Sequence, residues 1–340
     1  MKKYLWATVL GFCSIATLGA ANFFDVNVSP YTIECFDKDE INSQEKAIIE
    51  KASLNILSMI KNQQANQLWE ISHPELKRQL TSAQIAQGIT QFLLGDTTSA
   101  TISDERLIKI QGSEKTPVNV FCGSVKPNDP SHLSVQALVG NTNIAIVQIE
   151  LPKKPFNQLV SLQLAKHKGE YRLVYMDLNS YQYNEKDSFY YKDLAKKYLD
   201  EKKHVEAFIY NQVALLLSNK GSFLQSALNM QLSADLQKLQ NNKILKHALG
   251  SWQINKNQYR IISLGLITTQ SDMNIHIKYV ATQGLQPEQV QQDAEHLMGY
   301  LKQTYPALNQ EFHGVVFEAY EKMPVDKTKI YPFYRVPMIF

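Results

Sequence analysis

Three cysteines in 340 residues are too few for a disulfide-dense scaffold or a four-cysteine zinc module. No Cys-x-x-Cys pair, His-Glu-x-x-His helix, Gly-x-Ser-x-Gly elbow or Gly-rich phosphate loop occurs. With them go the standard signatures of thiol-redox enzymes, zinc peptidases, serine hydrolases and nucleotide-dependent enzymes. Charge of one sign is also missing. The 35 basic and 32 acidic residues leave a formal +3, which speaks against nucleic acid or anionic lipid as a partner. Long apolar runs are scarce too. The only candidate, Tyr4 to Leu18, offers about 15 apolar residues where a spanning helix needs roughly 20, so no transmembrane segment is expected in the mature chain.

What that run resembles is an export signal. Lys2 and Lys3 supply a positive start, and Gly19-Ala20-Ala21 a small-residue exit. Residues 1–21 therefore read as a signal peptide cleaved near Ala21. Cys13 follows the bulky Phe12 inside the apolar run, which argues against lipid attachment. The expected location is the periplasm or the medium. Loss of Lys2 and Lys3 takes the 35 basic residues to 33 against 32 acidic ones, a formal +1. Only Cys35 and Cys122 then remain, and in an oxidising compartment two cysteines are a plausible bridge. That bridge would fasten the arm before the first helix to an early strand.

Residues 40–95 have helical spacing. Asn42 with Glu45 three residues on makes an N-terminal cap, and Ile48, Ala52, Ile56 and Ile60 repeat at four-residue intervals. A short helix surrounds Leu68 and Trp69, His73-Pro74 breaks it, and Ser82 caps a third helix through Ile85, Ile89, Phe92 and Leu93. The period then changes to two. Val118-Val120-Cys122, Leu133-Val135-Ala137 and Ile144-Ile146 alternate with their neighbours, and Leu159 to Leu164 and Tyr171 to Leu178 form a hairpin across Lys168-Gly169. Three helices followed by a meandering sheet, together with the stretch QANQLWEISHPELKRQLTSAQIAQGI, resemble the nuclear transport factor two-like family, the cone-shaped fold of ketosteroid isomerase. The resemblance covers residues 43–183. It implies an α+β cone in which a few scattered residues line a pocket.

Residues 184–247 return to helical spacing. Ala195, Tyr198, Ala207 and Ala214 fall at the small and aromatic positions of one tetratricopeptide-like hairpin, with a turn near Lys202 to His204. One such hairpin needs neighbours to cover its faces, so it is expected to pack on an adjoining domain. Ser222 to Gln240 reads as a further helix. From Trp252 onward, strands at Tyr259 to Ile267 and Met273 to Val280, a helix from Pro287 and a strand from Gly314 to Tyr320 make a β-β-α-β unit. The closing IYPFYRVPMIF is expected to lie buried along a surface. The domains expected are thus 22–183 for the cone, 184–247 for the helical layer and 248–340 for the C-terminal α+β unit.

Candidate chemistry is scattered. Trp69, His73, His132, Tyr175 and Asp177 could serve proton transfer in a cone, and alternation places Tyr175 and Asp177 on one strand face. Structural roles account for them more economically. Asp293 and His296 are three apart on one helix, but a metal would need His276 or His313 to converge on them, and a solvated helix face is the simpler reading. The charged run from Lys192 to Lys203, with Glu206 beyond it, reads as hydrated surface. Tyr181, Tyr183, Phe189, Tyr190 and Tyr191 cluster where sheet gives way to helix, and read as glue between domains before they read as a sugar or peptide platform. The expectation is a non-catalytic exported protein, without cofactor or metal, that binds a small apolar ligand, a peptide or an envelope protein. The alternative is a lyase or isomerase of the cone-shaped fold.

Overall fold

The computed structural model describes residues 32–91, 94–112, 117–123, 133–269, 271–326 and 328–340. Strand β1 (Thr32–Asp37) leads into helices α1 (Ser43–Lys61), α2 (Ala65–Ile71), α3 (Pro74–Gln79) and α4 (Ser82–Gln91). The Asn42 side chain caps α1 by accepting the Glu45 N–H at 2.9 Å, as its spacing predicts. The buried stripe of α1 is not the one expected. Ile49, Ser53, Ile56, Leu57 and Ile60 face inward, while Ile48 is 38% exposed. A four-residue repeat drifts around a 3.6-residue helix, so Ile48 and Ile60 cannot both point at one core. The Pro74 break opens a further helix, because proline at a first helical position costs no hydrogen bond. Thr81, rather than Ser82, caps α4 through a reciprocal pair with Gln84.

Strands β2 (Thr101–Gln111), β3 (Val118–Cys122), β4 (Leu133–Ala137), β5 (Asn143–Leu151), β6 (Phe156–His167), β7 (Glu170–Tyr183) and β8 (Lys186–Asp187) follow. Five of them join β1 in a six-stranded antiparallel sheet in the order β1-β2-β5-β6-β7-β8. Lys168 and Gly169, both with positive φ, turn β6 into β7, as two-residue hairpin turns require. The arm before α1 is therefore a sheet edge, paired with β2 from Thr32 to Asp37. One face of this sheet packs on α1 to α4 through Val147, Val160, Leu162 and Leu164. The other packs on a small sheet ordered β3-β4-β9, where β9 is Leu224–Ser226.

Helices α5 (Ser188–Asp200) and α6 (His204–Leu217) form the expected hairpin, with Ala195, Tyr198, Ala207 and Ala214 all buried. Lys202, at φ 62°, makes the turn between them. Helices α7 (Ala227–Asn241) and α8 (Lys243–Gly250) complete the layer. Glu206 is 3% exposed, so it does not belong to the hydrated surface assigned from its neighbours; the buried N-terminal turn of α6 carries it inward.

The last sheet, ordered β10-β11-β12-β13-β14, comprises β10 (Ser251–Ile254), β11 (Asn257–Thr268), β12 (Met273–Val280), β13 (Gly314–Tyr320) and β14 (Phe333–Ile339). Helix α9 (Pro287–Thr304) links the parallel pair β12 and β13. The closing segment is not buried along a surface. It is the edge strand β14, in which Val336 alone is buried, because pairing with β13 fixes its backbone whatever its side chains prefer. The core beneath this sheet is continuous with that of α5 to α8, and takes in Phe156 and Tyr183 from the first sheet.

Candidate functional site

The helix-facing side of the six-stranded sheet is an apolar wall carrying one unusual group. Across β2, β5, β6 and β7 the ladder aligns Glu105, Val147, Leu162 and Met176 in one row. The last three pack in the core beneath α1 to α4. Glu105 is fully buried in that row, and neither carboxylate oxygen has a hydrogen-bond partner. A register shift between Ile102 and Asp104 makes this possible. The irregularity re-phases the strand, so that Ile102 and Leu107, an odd number of residues apart, both reach the helix-side core, with Glu105 between them. Burial raises the Glu105 carboxyl to about 7; Glu50 and Asp104 add to the rise, against Lys46 and Lys38.

Near it, the first turn of α1 is fastened to the sheet. Lys166 Nζ donates to Glu45 at 2.8 and 3.1 Å, and the Tyr171 hydroxyl donates to Glu45 at 2.6 Å. Burial works to raise the Glu45 carboxyl, but Lys166 and Tyr171 outweigh it and hold the group below the usual value. Burial and the Glu45 charge together push the Tyr171 phenol far up. All three groups are therefore saturated by one another. They anchor the helix rather than await a substrate.

The residues singled out from sequence do not meet. Trp69 packs on the helix side, with Lys77 Nζ 5.5 Å from its ring centre. His73 lies at the sheet edge, where its backbone N–H bonds the Leu173 carbonyl at 2.8 Å; it is 8% exposed, and its Nδ1 accepts the Glu75 N–H to cap α3. Burial, helped by His167, Arg172 and Arg78, lowers His73 to about 4, which keeps the imidazole neutral for that acceptor role. Tyr175 and Asp177 share a face, as alternation requires, but it is the one opposite the helices. There Asp177 accepts the Ser222 N–H at 2.6 Å and hydroxyl at 2.8 Å, and the Ser222 hydroxyl also reaches Tyr175. The pair holds the loop between α6 and β9. His132 lies outside the described residues.

In the C-terminal sheet, Asp293 is not on a solvated helix face. It is fully buried and accepts bonds from Thr282, Gln289 and Tyr259, whose hydroxyl also lies 2.9 Å from His296 Nδ1. Spacing along α9 could not reveal partners brought in from β11 and the end of β12. His276 belongs to a different cluster, around Glu318, and His313 lies 3.5 Å from Asp272. Among the described residues no group of three or more histidine, cysteine or acidic side chains could hold a metal.

The aromatic junction divides. Tyr183 and Tyr191 are buried in the shared core, and Tyr191, Tyr198 and Phe312 all lie against the Tyr210 ring. Phe189 and Tyr190 remain 55% and 38% exposed. A hollow of about 520 Å³ opens beside Cys35, bounded by Ile33 and Asp37 of β1 and by Asn119 and Phe121 of β3. Cys35 and Cys122 stand at disulfide distance there, with Cα atoms 5.7 Å apart. Sequence reasoning missed Glu105 because it sits in the polar run Ser103 to Arg106, where no alternation marks an inward residue. No family model, curated protein or solved structure matches the chain.

Proposed function

We propose that this chain is an exported, non-catalytic binding protein of the periplasm or medium, built on a cone-shaped N-terminal unit. The observation that carries this reading is the Cys35 and Cys122 pair. A bond between them is an asset where the surroundings are oxidising, since it ties a sheet edge that would otherwise fray. The partner is a small apolar ligand, a peptide or an envelope protein, and exposed Ile33 and Phe121, set among Asp37, Glu40 and Asn119 in the hollow beside Cys35, and exposed Phe189 and Tyr190 offer it apolar contacts. Fractionation with intact-mass measurement and thiol titration tests the export. The expected result is protein lacking residues 1–21, outside the cytoplasm, with no titratable thiol after unfolding without reductant. Cytoplasmic protein retaining Met1, with its thiols free, would overturn it.

Glu105 gives a second reading its footing. A carboxyl near 7 in an apolar wall matches what a lyase or isomerase needs for proton transfer at neutral pH. The test is deuterium uptake from solvent into small apolar ketone probes. Uptake abolished by Glu105→Gln would favour the enzyme, and no uptake by the parent protein would leave binding as the function.

A further inference from the structure

Helix α1 is held on the sheet in two unlike ways. The Glu45, Lys166 and Tyr171 cluster fastens its first turn to β6 and β7 with charge-assisted bonds. Deeper in, Glu105 faces the apolar row of Val147, Leu162 and Met176 with two oxygens that nothing satisfies. An enclosed carboxyl without partners is tolerable when protonated and costly when charged, because the charged form must recover its hydration. We propose that Glu105 is a built-in pH switch whose ionisation loosens the packing of α1 against β2.

The groups that act on it come from every side of the seam between α1 and β2. On α1 they are Lys46 and Glu50, in the turn after β1 Lys38, on β2 Asp104, and on β7 Tyr171. The neighbouring β5 position, Val147, brings no charge. Lys38 is already engaged, donating to the Ile102 carbonyl at 3.1 Å. Glu50 lies nearby with its own negative charge, so ionisation of Glu105 adds repulsion to lost solvation. Water entering between helix and strand relieves both.

The direction follows from where the proton sits. With the seam closed Glu105 holds its proton up to about 7, and with the seam open the group returns towards 4.5. Raising pH between those values therefore favours the open form about tenfold per pH unit, levelling off above 7, for a total of about 300-fold. The inference stands apart from both functional readings, since it needs neither a ligand nor a reaction.

Hydrogen exchange on the mature full-length protein, corrected for intrinsic rates and followed from about pH 4.5 to 8, tests it. Amides of α1 and β2 should lose about 150-fold in protection across that range, since the open form is already half ionised at pH 4.5. Amides of β12 should keep theirs, and Glu105→Gln should make the α1 and β2 amides insensitive to pH. An equal loss in the variant, or an equal loss in β12, would overturn the switch. Should the variant not fold, the assigned Glu105 side-chain carboxyl carbon in the parent protein decides by its NMR titration: a midpoint near 7 supports the switch, and one near 4.5 rejects it.

Discussion

Glu318 and Glu105 are both carboxylates on buried strand faces, and they answer pH in opposite senses. Around Glu318, 2% exposed, stand Arg335 Nη2 at 2.6 Å, His276 Nε2 and Lys278 Nζ each at 3.2 Å, and the Tyr320 hydroxyl. Burial acts to raise this carboxyl, but His276, Tyr320, Arg335 and Lys278 reverse that and hold it far below the usual range. Its contribution to stability is therefore present above 4.5, the ordinary value, and is lost as pH falls below it. Replacing Glu318 by Ala should cost about 3 kcal/mol at neutral pH, since Arg335 and Lys278 lose their counter-charge and the Tyr320 hydroxyl its acceptor. Urea midpoints of the two proteins should converge as the medium is acidified. A constant difference at every pH would show that the carboxylate charge is not what matters.

At the scale of elements, the decisive features are the edges and the caps. Strand β1 is the last strand of its sheet among the described residues, and the loop between Cys35 and Cys122 spans 87 residues. A bond there should stabilise by about 4 kcal/mol in the chain-entropy model. We expect Cys35→Ser with Cys122→Ser to lower the unfolding free energy by up to that amount, and β1 to lose its exchange protection first. Unchanged stability would mean that the two sulfurs are not joined in the native protein. His73 gives a smaller and more local expectation. With its ring neutral and capping α3, His73→Ala should cost about 1 kcal/mol, and His73→Asn should restore most of it because an amide oxygen can accept the same N–H. Equal losses in the two variants would point to packing against His167, 5.3 Å away between ring centres, as its main role.

For the whole molecule, the cores do not stop where the helical pattern begins. Phe223 and Leu224, beyond the helical hairpin, fill the small-sheet core with Val120 and Val135, while Phe156 and Tyr183 sit in the core of the C-terminal half. Lys186 reaches Glu311 at 2.7 Å across the same junction. A fragment ending at residue 183 would bare these groups, and we expect it to aggregate or bind hydrophobic dye, whereas the full mature chain does neither. Thermal unfolding of the full chain should be one cooperative transition. A monomeric, dye-silent 22–183 fragment would show that the first unit closes its core unaided.

Local and periodic features were legible in residues: the Asn42 cap, the Lys168-Gly169 turn, the buried positions of the α5 and α6 hairpin, and strands β12 and β13. Each depends on neighbours within a few positions, where backbone geometry alone restricts the choice. The α+β class followed from the change of period along the chain. Strand β2 was invisible because its polar run Ser103 to Arg106 carries no alternation, and β14 because its apolar composition suggested burial. Which face a residue joins was decided only by the tertiary structure. A register irregularity turned Glu105 inward, the Ser222 loop engaged Tyr175 and Asp177 while α3 engaged His73, and Thr282 and Tyr259 came from elsewhere in the chain to satisfy Asp293. Contacts between distant segments are set by how cores pack and charges find partners, and one chain read in order does not contain those distances.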